Sequence, residues 1–200
     1  MNESCIAIIP ARGGSRRLKR KNILEVYGRP MLAWVVDACW ESGCMDEVYV
    51  SSEDEEILEV ASALGCKGLR RPDELADDIV PKMEVVRHAY NQVQKHHGQA
   101  ALNRIAVLQA NSPELRSSDL KRGMELMNEH GLWEVLSVDE DLVQNAAFRI
   151  IKSSAIFNTF LSAHVGVVVT PYLDIHTAGD LDTMLARHPT KEAFMAARSS

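Results

Sequence analysis

Ile6-Ala7-Ile8-Ile9-Pro10-Ala11-Arg12-Gly13-Gly14-Ser15-Arg16-Arg17-Leu18-Lys19-Arg20-Lys21-Asn22 joins a buried strand to a cationic loop. The aliphatic run from Cys5 to Ile9 is too short for a helix, and its near-continuous apolar character suits a central parallel strand covered on both faces. Pro10 ends the run. Between Arg12 and Arg29 stand seven Lys/Arg against one acid, Glu25, in a chain whose formal net charge is -6. Gly13 and Gly14 permit positive φ and close backbone approach, so amides can turn toward an anion. Arg12 and Arg16 can neutralise phosphate oxygens, and Ser15 adds a hydroxyl donor. The loop is neither G-x-x-x-x-G-K-[ST] nor G-x-G-x-x-G. Charge alone leaves open a phosphate cradle, a solvated basic loop and a nucleic-acid patch.

Outward from that loop, strand and helix patterns alternate. Pro30 can open a helix carrying Met31, Leu32, Val35, Ala38 and Cys39 at helical spacing, which Gly43 ends. Glu47 to Val50 reads as a strand, followed by a serine cap at Ser51-Ser52 and a helix with Glu53, Asp54 and Glu55 in its first turn. Cys66 to Leu69 is a third strand, and Lys82 to about His96 a helix with Val85, Val86, Ala89, Tyr90 and Val93 on one face. Arg104 to Gln109 is a strand opening into Ala110-Asn111-Ser112-Pro113. A capped helix follows from Ser117 or Ser118, then a strand from Trp133 to Val138. Phe148–Ile151 and Val165–Val169 are further strand candidates, and Thr177-Ala178-Gly179-Asp180 reads as a capping box starting a last helix. The expected fold is a three-layer α/β/α sandwich around a mostly parallel sheet, built as one domain over residues 1–200. Ligands bind such sheets at the carboxyl ends of the strands, so Arg12, Asn111 and Ser112 share one rim.

Composition narrows the function classes. A chain of 200 residues, 46% hydrophobic and 25% charged, suits a packed globular domain rather than a disordered one. No apolar run approaches the ~20 residues of a membrane helix, and the N-terminus lacks a signal-peptide pattern, so the expected location is cytoplasmic. Cys5, Cys39, Cys44 and Cys66 form no C-x-x-C pair and read as buried thiols. The acidic balance argues against nucleic acid as partner, as does the lack of aromatics interleaved with the cations.

The run Ile9-Pro10-Ala11-Arg12-Gly13-Gly14-Ser15-Arg16-Arg17, ending Lys21-Asn22, resembles the signature of the CMP-sialic acid synthetases (acylneuraminate cytidylyltransferases). The resemblance continues at Gly28-Arg29-Pro30-Met31, Val48–Ser52, Arg71-Pro72-Asp73-Glu74-Leu75-Ala76, Leu108–Pro113 and, less closely, Asp174-Ile175-His176-Thr177. It implies a nucleotide-diphospho-sugar transferase-like, Rossmann-like fold and CMP transfer from CTP to a sugar acid, with release of pyrophosphate and a divalent cation, Mg2+ or Mn2+. It further implies that Arg12, Gly13, Gly14, Ser15 and Lys21 hold the triphosphate, and that Asn22 and Arg71 contact the nucleoside. Gln109 and Ser112 would face the acceptor or the ribose, and Asp174 and His176 the metal. Arg12, Lys21 and Gln109 are the implied catalytic residues; CTP and a small acidic acceptor are the implied partners.

The chain departs from that family pattern in several places. His176 stands where a second carboxylate is usual. Ile79-Val80-Pro81-Lys82 replaces small hydroxyl residues, Ala110 and Asn111 replace Pro and Thr, Glu114 is an apparent insertion, and Asn145-Ala146 replaces Asn-Gly. The sugar-acid and dimerisation insert expected near 140–147 is missing, which leaves homodimer formation open. Two alternatives therefore stand beside the sugar-acid reading: a smaller acceptor such as a phosphonate, and a non-catalytic nucleotide-binding role.

Overall fold

A computed structural model describes residues 4–77, 79–97, 102–159 and 162–199. Among these, β1 (Cys5–Pro10), β4 (Glu47–Ser52), β5 (Lys67–Arg70) and β6 (Arg104–Leu108) form the parallel part of a seven-stranded sheet, together with β7 (Glu134–Val138), β8 (Gln144–Lys152) and β9 (Val165–Val169). The order is β5-β4-β1-β6-β8-β7-β9. β8 runs antiparallel to both neighbours, β6 and β7, while β9 is parallel to β7. The expected mostly parallel sandwich is thus the observed one.

β1 lies at the centre of the parallel half, and its side chains alternate between two cores. Ala7 and Ile9 join Val48, Val50, Leu108, Phe148 and Ile150 beneath α1 (Met31–Ser42), α2 (Glu55–Ala63) and α4 (Ser117–His130). Ile6 and Ile8 join Tyr49, Ile105, Val107 and Ile151 beneath α3 (Lys82–His97). Burial on both faces is why this strand reads as an unbroken aliphatic run. Cys5, Cys39 and Cys66 are buried free thiols and Cys44 is half-buried. A third cluster gathers Val26, Met31, Trp34, Ile175, Met184 and Phe194, and packs α5 (Ala178–Arg187) and α6 (Lys191–Ser199) against the start of α1.

Local details differ from the sequence expectations. A two-stranded hairpin, β2 (Glu25–Val26) with β3 (Arg29–Pro30), precedes α1. Its turn residues Tyr27 and Gly28 have φ of 52° and 76°, the geometry of a type I′ turn. The cap of α2 is Asp54, whose carboxylate accepts from the amides of Glu56 and Ile57; Ser52 Oγ instead accepts from Asp54 N at 3.0 Å. α4 starts from Arg116 without a side-chain cap. The Thr177–Asp180 capping box is present as expected. β7 and β8 are joined by a closed turn in which Asp139 N donates to Val143 O at 2.8 Å and Asp139 Oδ1 accepts from Asp141 and Val143 amides.

Candidate active site

The carboxyl ends of β1 and β6 bring the Arg12–Asn22 loop and the Gln109–Glu114 loop side by side, and residues 173–176 run across them. Two adjoining cavities result. One, of about 340 Å3, is lined by Arg12, Ser15, Arg16, Arg17, Lys21 and His176. The other, of about 250 Å3, shares Arg12, Arg17, Lys21 and His176 and extends to Asn22, Arg71, Lys82, Gln109 and Asn111. The first presents four cationic side chains, Arg12, Arg16, Arg17 and Lys21, and suits a polyphosphate. The second mixes apolar and polar walls and suits a nucleoside or acceptor.

The basic loop is held from two sides. Buried Asn22 donates to Arg12 O at 2.9 Å, which folds the loop back on itself. Gly13 N donates to Glu53 Oε1 at 2.8 Å, and Glu53 Oε2 accepts from Arg71 Nε and Nη2 at 3.0 and 2.7 Å. Arg71 is buried and carries the charge that makes a part-buried Glu53 tolerable; hydrogen bonds from Gly13 and Arg71 outweigh the burial and hold the Glu53 carboxyl below its usual range. The role expected for Arg71, contact with the nucleoside, is therefore modified. It lines the cavity, yet its Nε and Nη2 are spent on Glu53. Neither Gly13 nor Gly14 has positive φ; in this loop that conformation falls on Arg20, at 55°. Gly13 is required by proximity instead, because a Cβ there would lie 2.1 Å from Asp54 Oδ2, whereas one at Gly14 would meet nothing within 4 Å.

Asp174 is the carboxylate that Lys21 and Lys82 of the site face. Ser112 Oγ donates to its Oδ1, and the Gln109 amide faces it as well. Burial raises its pKa, and these four neighbours pull in the opposite direction. Lys21 is held down to about 8, chiefly by desolvation and then by Arg12 and Arg17, with Asp174 and Asp180 opposing. Lys82 lines the open cavity and is exposed to it, but protein atoms crowding its ammonium lower its pKa too, with Asp174 opposing. His176 is likewise pushed down, by desolvation and by Lys21 and Arg17, so its imidazole is neutral near pH 7. Its Nδ1 sits 3.4 Å from Arg17 Nη2.

The structure brings Arg12, Ser15, Lys21, Asn22, Arg71, Gln109, Asp174 and His176 together around the two cavities. Ser112 is fully buried, and its hydroxyl donates to Asp174. Sequence reading missed Glu53 and Lys82. In the sequence Glu53 reads as a helix-dipole acid, although an acid at a strand end beside a basic loop is a signal for an ion pair. Lys82 was a departure without a partner until the fold set it opposite Asp174. Among the described residues, no group of three His, Cys, Asp or Glu gathers to hold a metal.

A glycine-and-arginine loop after the first strand of a mostly parallel sheet, opening onto a cationic cavity and a mixed one, defines an α/β protein with a cationic site at the carboxyl edge of its sheet. The chain belongs to the cytidylyltransferase family, whose profile matches residues 6–164. It is 38% identical over 121 residues to a pseudaminic acid cytidylyltransferase of Campylobacter jejuni, covering 60% of this chain and 51% of that one. It is 34% identical over 132 residues to N-acylneuraminate cytidylyltransferase A of Danio rerio, covering 66% and 29%. The match thus spans about half of the first relative and less than a third of the second. In fold, the chain superposes on CMP:2-keto-3-deoxy-manno-octonic acid synthetase complexed with CTP at a TM-score of 0.73 and 15% identity, over 92% of this chain and 97% of that one. No helix among the described residues is long and apolar enough to cross a membrane.

Proposed function

We propose that the protein transfers CMP from CTP to a sugar acid of the nonulosonic class and releases pyrophosphate. The observation that carries this reading is the cationic cavity of Arg12, Ser15, Arg16, Arg17 and Lys21, open to the mixed cavity that holds Gln109 and faces Asp174. The names of the two relatives, a pseudaminic acid cytidylyltransferase and an N-acylneuraminate cytidylyltransferase, support that acceptor over a smaller one. On this reading the acceptor oxygen attacks the α-phosphorus in line. Arg12 and Lys21 neutralise the departing pyrophosphate, and Gln109 orients the acceptor or ribose. Such a transfer needs positioning and charge neutralisation rather than a covalent nucleophile. Gly13, Gly14 and Ser15 line the triphosphate, while Asn22 and Arg71 brace the nucleoside side.

The residues present fit a divalent cation with one protein carboxylate. Asp174 would hold it, with non-protein oxygens as the further ligands that a hard divalent cation takes. Neutral His176 adds a nitrogen suited to Mn2+ better than to Mg2+. When bound, the cation would polarise the phosphoryl oxygens and lower the pKa of the acceptor hydroxyl. Asp174 keeps its orientation through Ser112. On the same reading the chain is one nucleotidyltransferase domain working in the cytoplasm, with the closed turn between β7 and β8 in place of a longer acceptor-binding insert.

The test is a binding screen of CTP, ATP, GTP and UTP by calorimetry, with Mg2+ and with Mn2+. The proposal expects CTP to bind tightest, with affinity lost in Arg12→Ala. Equal binding of all four nucleotides would contradict it.

A further inference from the structure

Three consecutive residues at the metal end of the site are each held by a different residue of the loop between β6 and α4. Ile175 N donates to Asn111 O, and Asn111 Nδ2 donates back to Ile175 O, both at 2.9 Å. Asp174 accepts from Ser112 Oγ. Leu173 N donates to Glu114 Oε2 at 2.9 Å. The segment that carries Asp174 is thus fastened at 175, 174 and 173 by 111, 112 and 114.

Glu114 is the unusual member of this series. Its side chain is only 9% exposed, and a carboxylate so far from water persists only when its oxygens are paired. Oε2 takes the Leu173 amide, Oε1 lies 2.9 Å from His188 Nε2, and Arg187 Nη1 stands 3.8 Å away. His188 follows α5, its carbonyl accepts from the Tyr27 hydroxyl, and its ring meets Phe194 of α6 edge-on at 5.5 Å. One carboxylate therefore joins the backbone beside Asp174 to the C-terminal helices, which lie beyond the 6–164 family match.

We propose that Glu114 is a positioning residue: its carboxylate fixes the Leu173 peptide, and through it the Asp174 side chain, while docking α5 and α6 through His188. This rests on the role given to Asp174 above. Partners that orient a metal-binding carboxylate typically change activity by about 10- to 100-fold when removed. Glu114→Ala should accordingly lower kcat by roughly 10- to 100-fold, with the KM for CTP moving less than about threefold, because the Arg12–Asn22 loop is untouched. Glu114→Gln still offers an oxygen to Leu173 N and should restore most of kcat. Glu114→Asp keeps the charge but withdraws it by one methylene, so it should behave like Ala; it serves where the Ala variant does not fold. His188→Ala undocks the helices but leaves the Leu173 bond, and should retain kcat within about threefold.

Hydrogen exchange provides a readout independent of turnover. The Leu173 amide should exchange on the order of 10- to 100-fold faster in Glu114→Ala than in wild type, through loss of a bond to a charged acceptor. A folded Glu114→Ala or Glu114→Asp variant with wild-type kcat and wild-type exchange at Leu173 would overturn the proposal. So would failure of Glu114→Gln to rescue. A wild-type protein that releases no pyrophosphate with any sugar acid would instead sink the functional reading, and the exchange measurement would still decide the role of Glu114.

Discussion

Replacing Gly13 with alanine should damage the protein far more than the same change one residue later. The added Cβ would stand 2.1 Å from Asp54 Oδ2 and 2.8 Å from both Asp54 Cβ and Cγ. Contact with Cβ means that a change of Asp54 rotamer is not enough, so the loop or the start of α2 must move. Asp54 caps α2 through the amides of Glu56 and Ile57 at 3.0 and 3.3 Å, and losing such a cap costs about 0.5–2 kcal/mol. Moving the loop also weakens the bond from Gly13 N to the Glu53 carboxylate, of a kind worth about 1.5–3 kcal/mol. Together these give about 2–5 kcal/mol, or a fall in Tm of roughly 4–20 °C for a chain of this size. Gly14→Ala meets no atom within 4 Å and has no positive φ to relieve, so its Tm should stay level or rise slightly. Thermal unfolding followed by circular dichroism compares the two. A Gly13→Ala variant as stable as wild type, or a Gly14→Ala variant equally damaged, would refute the reasoning.

Other predictions follow from neighbouring features. Ala146 sits at φ 60°, which costs an L residue about 1–2 kcal/mol. Glycine there returns about 0.4–1 kcal/mol of that to the unfolded chain, so Ala146→Gly should stabilise by about 0.5–1 kcal/mol in urea unfolding; a lower midpoint would count against it. Lys21, at about 8, is charged at pH 7 and largely neutral at pH 9. CTP should bind about tenfold more weakly at pH 9 than at pH 7 by calorimetry, and Lys21→Arg should remove that difference. Burial opposes ionisation of Glu47, but hydrogen bonds from Lys67, Tyr49 and His97 outweigh it and bring the carboxyl down to about 2 from 4.5. A depressed carboxyl contributes stability above its unfolded pKa and loses it as pH falls through the folded one. Stability should therefore drop between pH 4.5 and 2, and Glu47→Gln should flatten that drop; an unchanged acid profile would contradict the assignment.

Strands and helices with strong periodicity were legible because burial on one or two faces imprints itself on the chain. β1 and β6 needed little more than their aliphatic runs. The β2–β3 hairpin was hidden because its strands are two residues long and its left-handed turn uses Tyr27, a residue that rarely signals positive φ. α6 escaped because its inward contacts are few: Phe194 and Arg198, the latter donating to the carbonyls of Pro113 and Trp34. At the site, the loop from Arg12 to Asn22 announced its charge, and the Thr177–Asp180 box fixed where α5 starts. What the chain did not reveal were pairings across long separations. Glu53 with Gly13 and Arg71, Lys82 opposite Asp174, and Glu114 with Leu173 and His188 exist only once the sheet has brought those loops together.

The central claim is CMP transfer to a sugar acid, and phosphorus NMR of the protein with CTP, Mg2+ or Mn2+, and a panel of nonulosonic acids tests it directly. Pyrophosphate and a new CMP-ester resonance are expected with at least one acid, and neither product when Arg12→Ala or Asp174→Asn replaces the wild type. Intact CTP with every acid, from protein that is folded and binds CTP, would contradict it.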